Sequence, residues 1–338
     1  MNNAKWVLVG GDTLLGREVR EYLEEHRAPV RLVLAGGTTA ERVLTAEGDE
    51  EISVMEPLTA ETLHDAAVLL LAAGEEACRA AYAMTRALPE APAVVDLTGA
   101  LESELGATVR APMLESEPAA APAGSVQVVA HPAAVGLGRL LDVIHGAHSV
   151  RHAVATVLEP VSAYGSGGVD ELHRQTLSLF NFQAAPKEMF DTQASFNLLP
   201  RFGGNAESQP GDSEARIQRH LARLLPGRGV PLPSVRVLHA PVFHGYGVSL
   251  WLEFASRPAA AHLEKELEQA GVDVRRANME PASNTGVAGQ SGLTVSDVKE
   301  DTRHGGGMWV WMMLDNLHTV AETAVLTAAA ASRAREMA

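Results

Sequence analysis

Cysteine is all but missing from this chain. Cys78 is the one thiol among 338 residues, which excludes an internal disulfide framework and a cysteine-cluster metal site, and fits a reducing compartment with the cytoplasm as the expected location. Basic residues are also short, because 27 Lys and Arg face 42 Asp and Glu for a formal net charge of −15. No basic stripe can therefore neutralise phosphates, and aromatics at 4% offer few stacking platforms, so nucleic acid is not an expected partner. No apolar run approaches the ~18 residues that a membrane-spanning helix requires. Met1-Asn2-Asn3-Ala4-Lys5 runs straight into the strand-like Trp6-Val7-Leu8-Val9, so neither a membrane anchor nor an export signal is expected.

What is present is apolar material in regular portions. At 46% hydrophobic and 20% charged residues, the chain has enough for two domains with sizeable cores. Residues 6–10 read as a buried strand, and residues 14–26 carry helical spacing with Leu15, Val19, Tyr22 and Leu23 apolar. Strand, glycine turn and helix open a nucleotide-binding unit. Strand runs at 30–34, 68–72, 93–97 and 126–130, with a helix at 75–88, continue a parallel sheet covered on both faces. Residues 115–124, rich in Pro and Ala, read as a loop, and a helix follows at 134–144.

From about residue 151 the texture changes. Long strands at 151–158 and 235–254, helices at 169–180 and 213–225, and a strand at 308–314 predict a mixed α+β second domain. The stretches 200–212 and 274–296 read as long surface loops, candidates for partner contact or a lid. An Ala-rich helix over 317–337 closes the chain, with Val320, Ala324, Leu326 and Ala330 on an apolar face that needs a partner surface.

Six phrases, in order, resemble the aspartate-semialdehyde dehydrogenases: Val9-Gly10-Gly11-Asp12-Thr13-Leu14-Leu15-Gly16, Val94-Val95-Asp96-Leu97-Thr98, Val161-Ser162-Ala163-Tyr164-Gly165, Phe196-Asn197-Leu198-Leu199-Pro200, Pro241-Val242-Phe243 and Asp315-Asn316-Leu317. The resemblance implies an α/β fold. A Rossmann-like NAD(P)-binding-type domain takes residues 1–133 plus 317–338, and a catalytic and dimerisation domain takes 134–316. It also implies reductive dephosphorylation of an acyl phosphate in amino-acid biosynthesis. There a cysteine thiolate forms a thioester, NADPH delivers hydride, and a histidine serves as acid and base.

Against that family pattern the reactive positions have changed. The nucleophile motif Asn-Pro-Asn-Cys is here His131-Pro132-Ala133-Ala134, and the base in Gly-His-Ser is Tyr246 of Gly245-Tyr246-Gly247. A methyl group cannot attack an acyl phosphate, and a phenol with an ordinary pKa of about 10 is a poor proton shuttle at neutral pH. His244 is two residues from Tyr246 and would share its strand face. The substrate arginine is His239 and the substrate glutamine is Glu159, while a second arginine has no counterpart after Asp96, Arg110 being out of register. Arg216 and His220 replace a family lysine and glutamate and are expected at the surface. Cys78 reads as helix packing, not as a substitute nucleophile.

The cofactor loop keeps Gly10 and Gly16 of the Gly-Xaa-Xaa-Gly-Xaa-Xaa-Gly pattern, but its middle glycine is Thr13. By resemblance Gly10, Gly11, Asp12, Thr13, Leu14, Leu15 and Gly16 are the cofactor-binding positions, with a β-carbon at Thr13 crowding the phosphate. Asn316 holds the place of an asparagine near the nicotinamide, or equally caps the last helix. The NADP-selecting arginine phrase is replaced by Ala35-Gly36-Gly37-Thr38-Thr39-Ala40, and Arg42 reads as a helix or loop surface charge, with reach to a 2′-phosphate as the alternative. The cofactor is accordingly NADP or none. His145, His148 and His152 have spacing for one helical face, but Gly146 and the strand after it argue against a metal site.

Three readings stand. The first is a cytoplasmic homodimer of the dehydrogenase fold that lacks the activity and works by binding a small molecule or a protein, in the manner of a cysteine-less branch of the family. The second is an NAD(P)-dependent oxidoreductase with altered chemistry on His244, Tyr246 and Glu159, which requires those side chains to converge in one solvent-reachable pocket. The third is a heterodimer with a true aspartate-semialdehyde dehydrogenase.

Overall fold

The computed structural model describes residues 4–36, 42–44, 53–115, 122 and 124–336. Two compact units emerge, Met1–Ala130 with Val320–Ala338, and His131–Thr319. In the first, β1 (Ala4–Val9), α1 (Leu14–Glu25), β2 (Val30–Gly36), β3 (Arg42–Leu44) and β4 (Ser53–Pro57) are followed by α2 (Ala60–Leu63), β5 (Val68–Leu71), α3 (Glu75–Thr85), β6 (Ala93–Asp96), β7 (Thr108–Arg110) and β8 (Val126–Val129). They build an eight-stranded sheet in the order β3-β4-β2-β1-β5-β6-β8-β7. Every pair is parallel except β3 with β4. Arg42 thus lies in a strand, where a helix or loop was expected, and the predicted 115–124 loop falls largely outside the described residues.

Successive strand residues feed opposite faces. Trp6, Leu8, Val68 and Leu70 join one core cluster with Val320, Ala321, Ala324 and Ala328 of the last helix, while Val7, Val9, Leu69 and Leu71 join another with Cys78 and Ala81. A strand buried on both sides needs apolar residues at every position, which is why β5 reads Val-Leu-Leu-Leu.

The second unit holds α4 (Pro132–Ala147), β9 (Val150–Glu159), α5 (Gly165–Phe180), α6 (Pro210–Leu224), β10 (Ser234–His239), β11 (Tyr246–Phe254), α7 (Ala260–Gln269), β12 (Asp273–Arg275), β13 (Thr294–Glu300) and β14 (Gly307–Leu314). The helix α8 (Asn316–Glu336) begins here and continues into the first unit. The six strands form a mixed sheet, β10-β9-β11-β14-β13-β12. One face carries a core with Leu137, Leu141, Ile217, Leu221 and Leu263 of α4, α6 and α7. The other presents Val154 and Trp309 exposed and Leu158, Trp251 and Trp311 half-buried.

Three sequence expectations change here. The 235–254 run is two strands, broken over 240–245 where Pro241 lacks a ladder donor and Gly245 adopts φ +84°. The 200–212 loop ends at Pro210, the first residue of α6. The 274–296 loop overlaps β12 and β13, and its middle is tied down by Asn284 Nδ2 donating to the carbonyls of His244 and Gly245, and by the Gly289 N–H donating to Asp315. This segment is anchored, which argues against a free lid.

Candidate functional site

The end of β9, the start of β11, the first turn of α4 and one face of α6 meet inside the second unit. Glu159 closes β9 with no exposed surface, and Tyr246 opens β11 in the same core as Ala133 and Ala134. Tyr246 donates to Glu159 Oε1 at 3.0 Å, and Tyr164, from the short 3-10 turn Val161–Tyr164, donates to Oε2 at 2.5 Å. The Ser213 hydroxyl of α6 bonds the same carboxyl. Burial pushes the Glu159 carboxyl above the usual range, and the three hydroxyls pull it partway back.

His131 extends this network. As the N-cap of α4 it accepts the Ala133 N–H on Nδ1 at 3.2 Å, so its proton sits on Nε2, 3.3 Å from the Tyr246 oxygen. The donor chain then runs His131 to Tyr246 to Glu159, with every polar atom used in one direction. The His131 backbone N–H in turn donates to His220 Nδ1 at 2.8 Å. Burial, then the charges of Arg216 and His220, hold the His131 imidazole far below its ordinary pKa, and burial with the Glu159 charge holds the Tyr246 phenol well above its own. At neutral pH both stay uncharged, and neither is poised for proton transfer.

The expectation that Arg216 and His220 lie at the surface is corrected: His220 is fully buried and Arg216 half-buried. Ser213, Arg216 and His220 follow i, i+3, i+7 spacing on the side of α6 that also carries Ile217 and Leu221 into the core. That periodicity was the available signal for the face. Nothing in sequence flagged Tyr164 or Ser213 as partners of Glu159.

The remaining positions do not converge. His239 is buried, with Nε2 3.2 Å from the Ala194 carbonyl and its ring tilted against Phe190 and Phe202, and burial lowers its pKa. It lies beside Glu159 in the strand register but serves the sheet and the Phe190 cluster. His244 lies in the break before β11, off any strand face shared with Tyr246, and its carbonyl is held by Asn284. Tyr246 and Glu159 therefore meet, buried, with neither bonded to the His244 ring among the described hydrogen bonds.

Asn316 does not cap α8. Asp315 does, accepting the N–H groups of Leu317 and His318, while Asn316 accepts the Gly245 N–H at 2.8 Å and exchanges bonds with Ser162. Cys78 is buried, its thiol pushed up to about 11 chiefly by burial, which leaves no thiolate at neutral pH. His148 pairs with Glu266 and His152 with Glu253, and no metal-binding group of three or more such residues occurs among the described residues.

In the first unit the glycine loop keeps its backbone shape. A β-carbon at Gly16 would lie 2.0 Å from the Gly10 carbonyl oxygen, and one at Gly10, φ +86°, would lie 2.7 Å from Ala73 N. Thr13 is the N-cap of α1; its hydroxyl accepts the Gly16 N–H at 3.0 Å and sits 2.9 Å from the carbonyls of Gly10 and Ala72. Its side chain thus points into the turn. The fit to a dinucleotide pyrophosphate is in the tight turn and the α1 N-terminus, with one N–H already committed to Thr13. Asp12 is exposed at the tip, and Leu14 and Leu15 are half-buried. Ala35 and Gly36 of the candidate 2′-phosphate phrase end β2, and the rest of the phrase, residues 37–40, lies outside the described residues.

The family of semialdehyde dehydrogenase dimerisation domains matches residues 141–319, just over half of the chain. The aspartate-semialdehyde dehydrogenase of Rickettsia bellii (strain RML369-C) is 31% identical over 188 residues, 54% of this chain and 55% of that protein. The matches to the Rickettsia relatives thus span about half of their length. A USG-1 protein homolog of Azotobacter vinelandii is 28% identical over 319 residues, 92% of each chain. The fold is shared with aspartate semialdehyde dehydrogenase II of Vibrio cholerae complexed with ASA, at a TM-score of 0.82 and 20% identity over 98% of this chain and 99% of that one. It is shared also with aspartate semialdehyde dehydrogenase with NADP from Candida albicans, at a TM-score of 0.68 and 14% identity over 99% and 100% of the two chains.

Proposed function

The chain belongs to the semialdehyde dehydrogenase family, and from that premise we propose that it is a homodimeric, NADP-binding member that does not carry out the family's dehydrogenase reaction. The observation that carries this reading is the joint replacement of thiol by Ala134 and imidazole by Tyr246, with the phenol locked between His131 and Glu159 in a fully buried network. The thioester route needs a nucleophile that adds to a carbonyl carbon and a base that takes its proton. Ala134 supplies neither electrons nor a leaving proton, and Cys78 belongs to the core of the other unit. Loss of a covalent nucleophile costs roughly 10⁴ to 10⁶ in rate in comparable knockouts.

NADP is supported by the preserved turn of the glycine loop and by the NADP carried by the Candida relative. Dimerisation is supported by the matched domain and by the uncovered sheet face bearing Val154 and Trp309. In this reading the protein acts by holding a small molecule or a partner.

The test is a burst experiment with aspartate semialdehyde and NADP in the absence of phosphate. A thiol enzyme would add to the aldehyde, pass hydride to NADP and keep the acyl group as a thioester, yielding about one NADPH per protomer. This protein is expected to give no burst and an unchanged intact mass. A stoichiometric burst with a matching acyl adduct would overturn the proposal.

A further inference from the structure

We infer that the Glu159 side chain fills a cradle shaped for a small carboxylate, so that the chain carries its own anion at this site and closes it to external ones. Three hydroxyls from three separate elements converge on the carboxyl group: Tyr164 from the turn after β9, Ser213 from α6 and Tyr246 from β11. Each is a neutral donor, and Tyr246 and Tyr164 take one oxygen each of this fully buried group. Convergent, preorganised O–H donors in a water-free pocket are a means by which proteins hold a carboxylate without a metal. The surrounding charges are Arg216, which acts on Tyr246 and His131, and Asp212, which opposes the charge on Glu159.

The backbone gives independent support. Glu159 ends β9, and its main chain is fixed by the parallel pairing with His239 and by its carbonyl accepting the Ala240 N–H. The strand end therefore does not need the carboxyl, whereas the fully buried Tyr246 hydroxyl needs an acceptor where no water reaches it, and the half-buried Tyr164 and Ser213 turn theirs to the same group. The side chain satisfies the donors in the way a bound ligand would.

The ligand class follows from the atoms removed. Glu159→Ala keeps the β-carbon and deletes one methylene and the carboxylate, which together have the outline of acetate; formate is one carbon smaller. Thermal stability reads the cradle whether or not the protein turns over a substrate. The midpoint of thermal unfolding of Glu159→Ala is expected to fall by several degrees below the wild type. It should then rise saturably with sodium acetate, while sodium chloride at equal ionic strength leaves it in place. The wild type and Glu159→Gln, whose side chains keep the space filled, are expected not to respond to acetate beyond the chloride control. An equal response in all three proteins, or none beyond chloride in Glu159→Ala, overturns the inference. If Glu159→Ala does not fold without ligand, the yield on refolding from urea is measured against acetate. A yield no better in acetate than in chloride overturns it equally.

Discussion

The glycine loop and the Glu159 network are the two places where the sequence departs from the pattern it resembles, and they are built in opposite ways. In the loop the backbone makes the turn, and Thr13 turns its hydroxyl inward to accept the Gly16 N–H. Around Glu159 the side chains make the site: His131, Tyr246 and Glu159 form one hydrogen-bonded chain, His220 accepts the His131 N–H, and Ala134 lies in the same core as Tyr246. A site made of main chain tolerates a new side chain that caps well, whereas a site made of side chains changes its chemistry when they change.

Four substitutions separate the two regions, in decreasing order of effect. Gly16→Val should be the most damaging, because even its β-carbon meets the Gly10 carbonyl oxygen. A loss of more than ~4 kcal/mol and failure of the first unit to fold are expected in urea titration, and a mild effect would break the claim that backbone contact preserves the loop. Tyr246→Phe leaves Glu159 Oε1 and His131 Nε2 without this partner in a buried place. It should cost about 1–3 kcal/mol, read as a lower urea midpoint at unchanged slope. Thr13→Ala removes a helix cap, at about 1 kcal/mol. Thr13→Gly should lose less and bind NADPH more tightly, since the Gly16 N–H is released toward a phosphate; weaker binding would contradict the inward role of the hydroxyl.

The smallest effect is a pH slope. The folded-state pKa of Glu159 is raised, so the folded protein keeps a proton that the unfolded chain has already released. Its contribution to stability is therefore most favourable below the ordinary carboxylate pKa and declines as pH rises toward the folded value. Glu159→Gln should remove this part of the pH dependence, and a wild-type slope unchanged in the variant would mean the carboxyl titrates normally.

The sequence made the scaffold legible because burial on two faces forces apolar runs, unbroken in residues 68–71 and interrupted by Gln127 alone in 126–129, each strand buried throughout. The break at 240–245 was hidden by Val242 and Phe243, which keep the run apolar although the chain leaves the ladder there. The resemblance puts Ala134 and Tyr246 at the family's thiol and imidazole positions, and the fold gathers these two residues into one core. The network beside them was not legible, because Glu159 gathers its partners from Tyr164, Ser213 and Tyr246, and only the tertiary fold brings those together. The surface expectation for His220 failed for a related reason: a polar residue on the apolar side of α6 is buried with a partner from another element, here the His131 N–H.

The reading of this chain as a dinucleotide binder without dehydrogenase chemistry meets its sharpest test when NADPH fluorescence is titrated and turnover assayed on one preparation from a host lacking its own enzyme. It predicts saturable NADPH binding together with no NADPH formation from aspartate semialdehyde, phosphate and NADP above a heat-denatured control. NADPH formation that scales with protein concentration and persists in Cys78→Ala would contradict it.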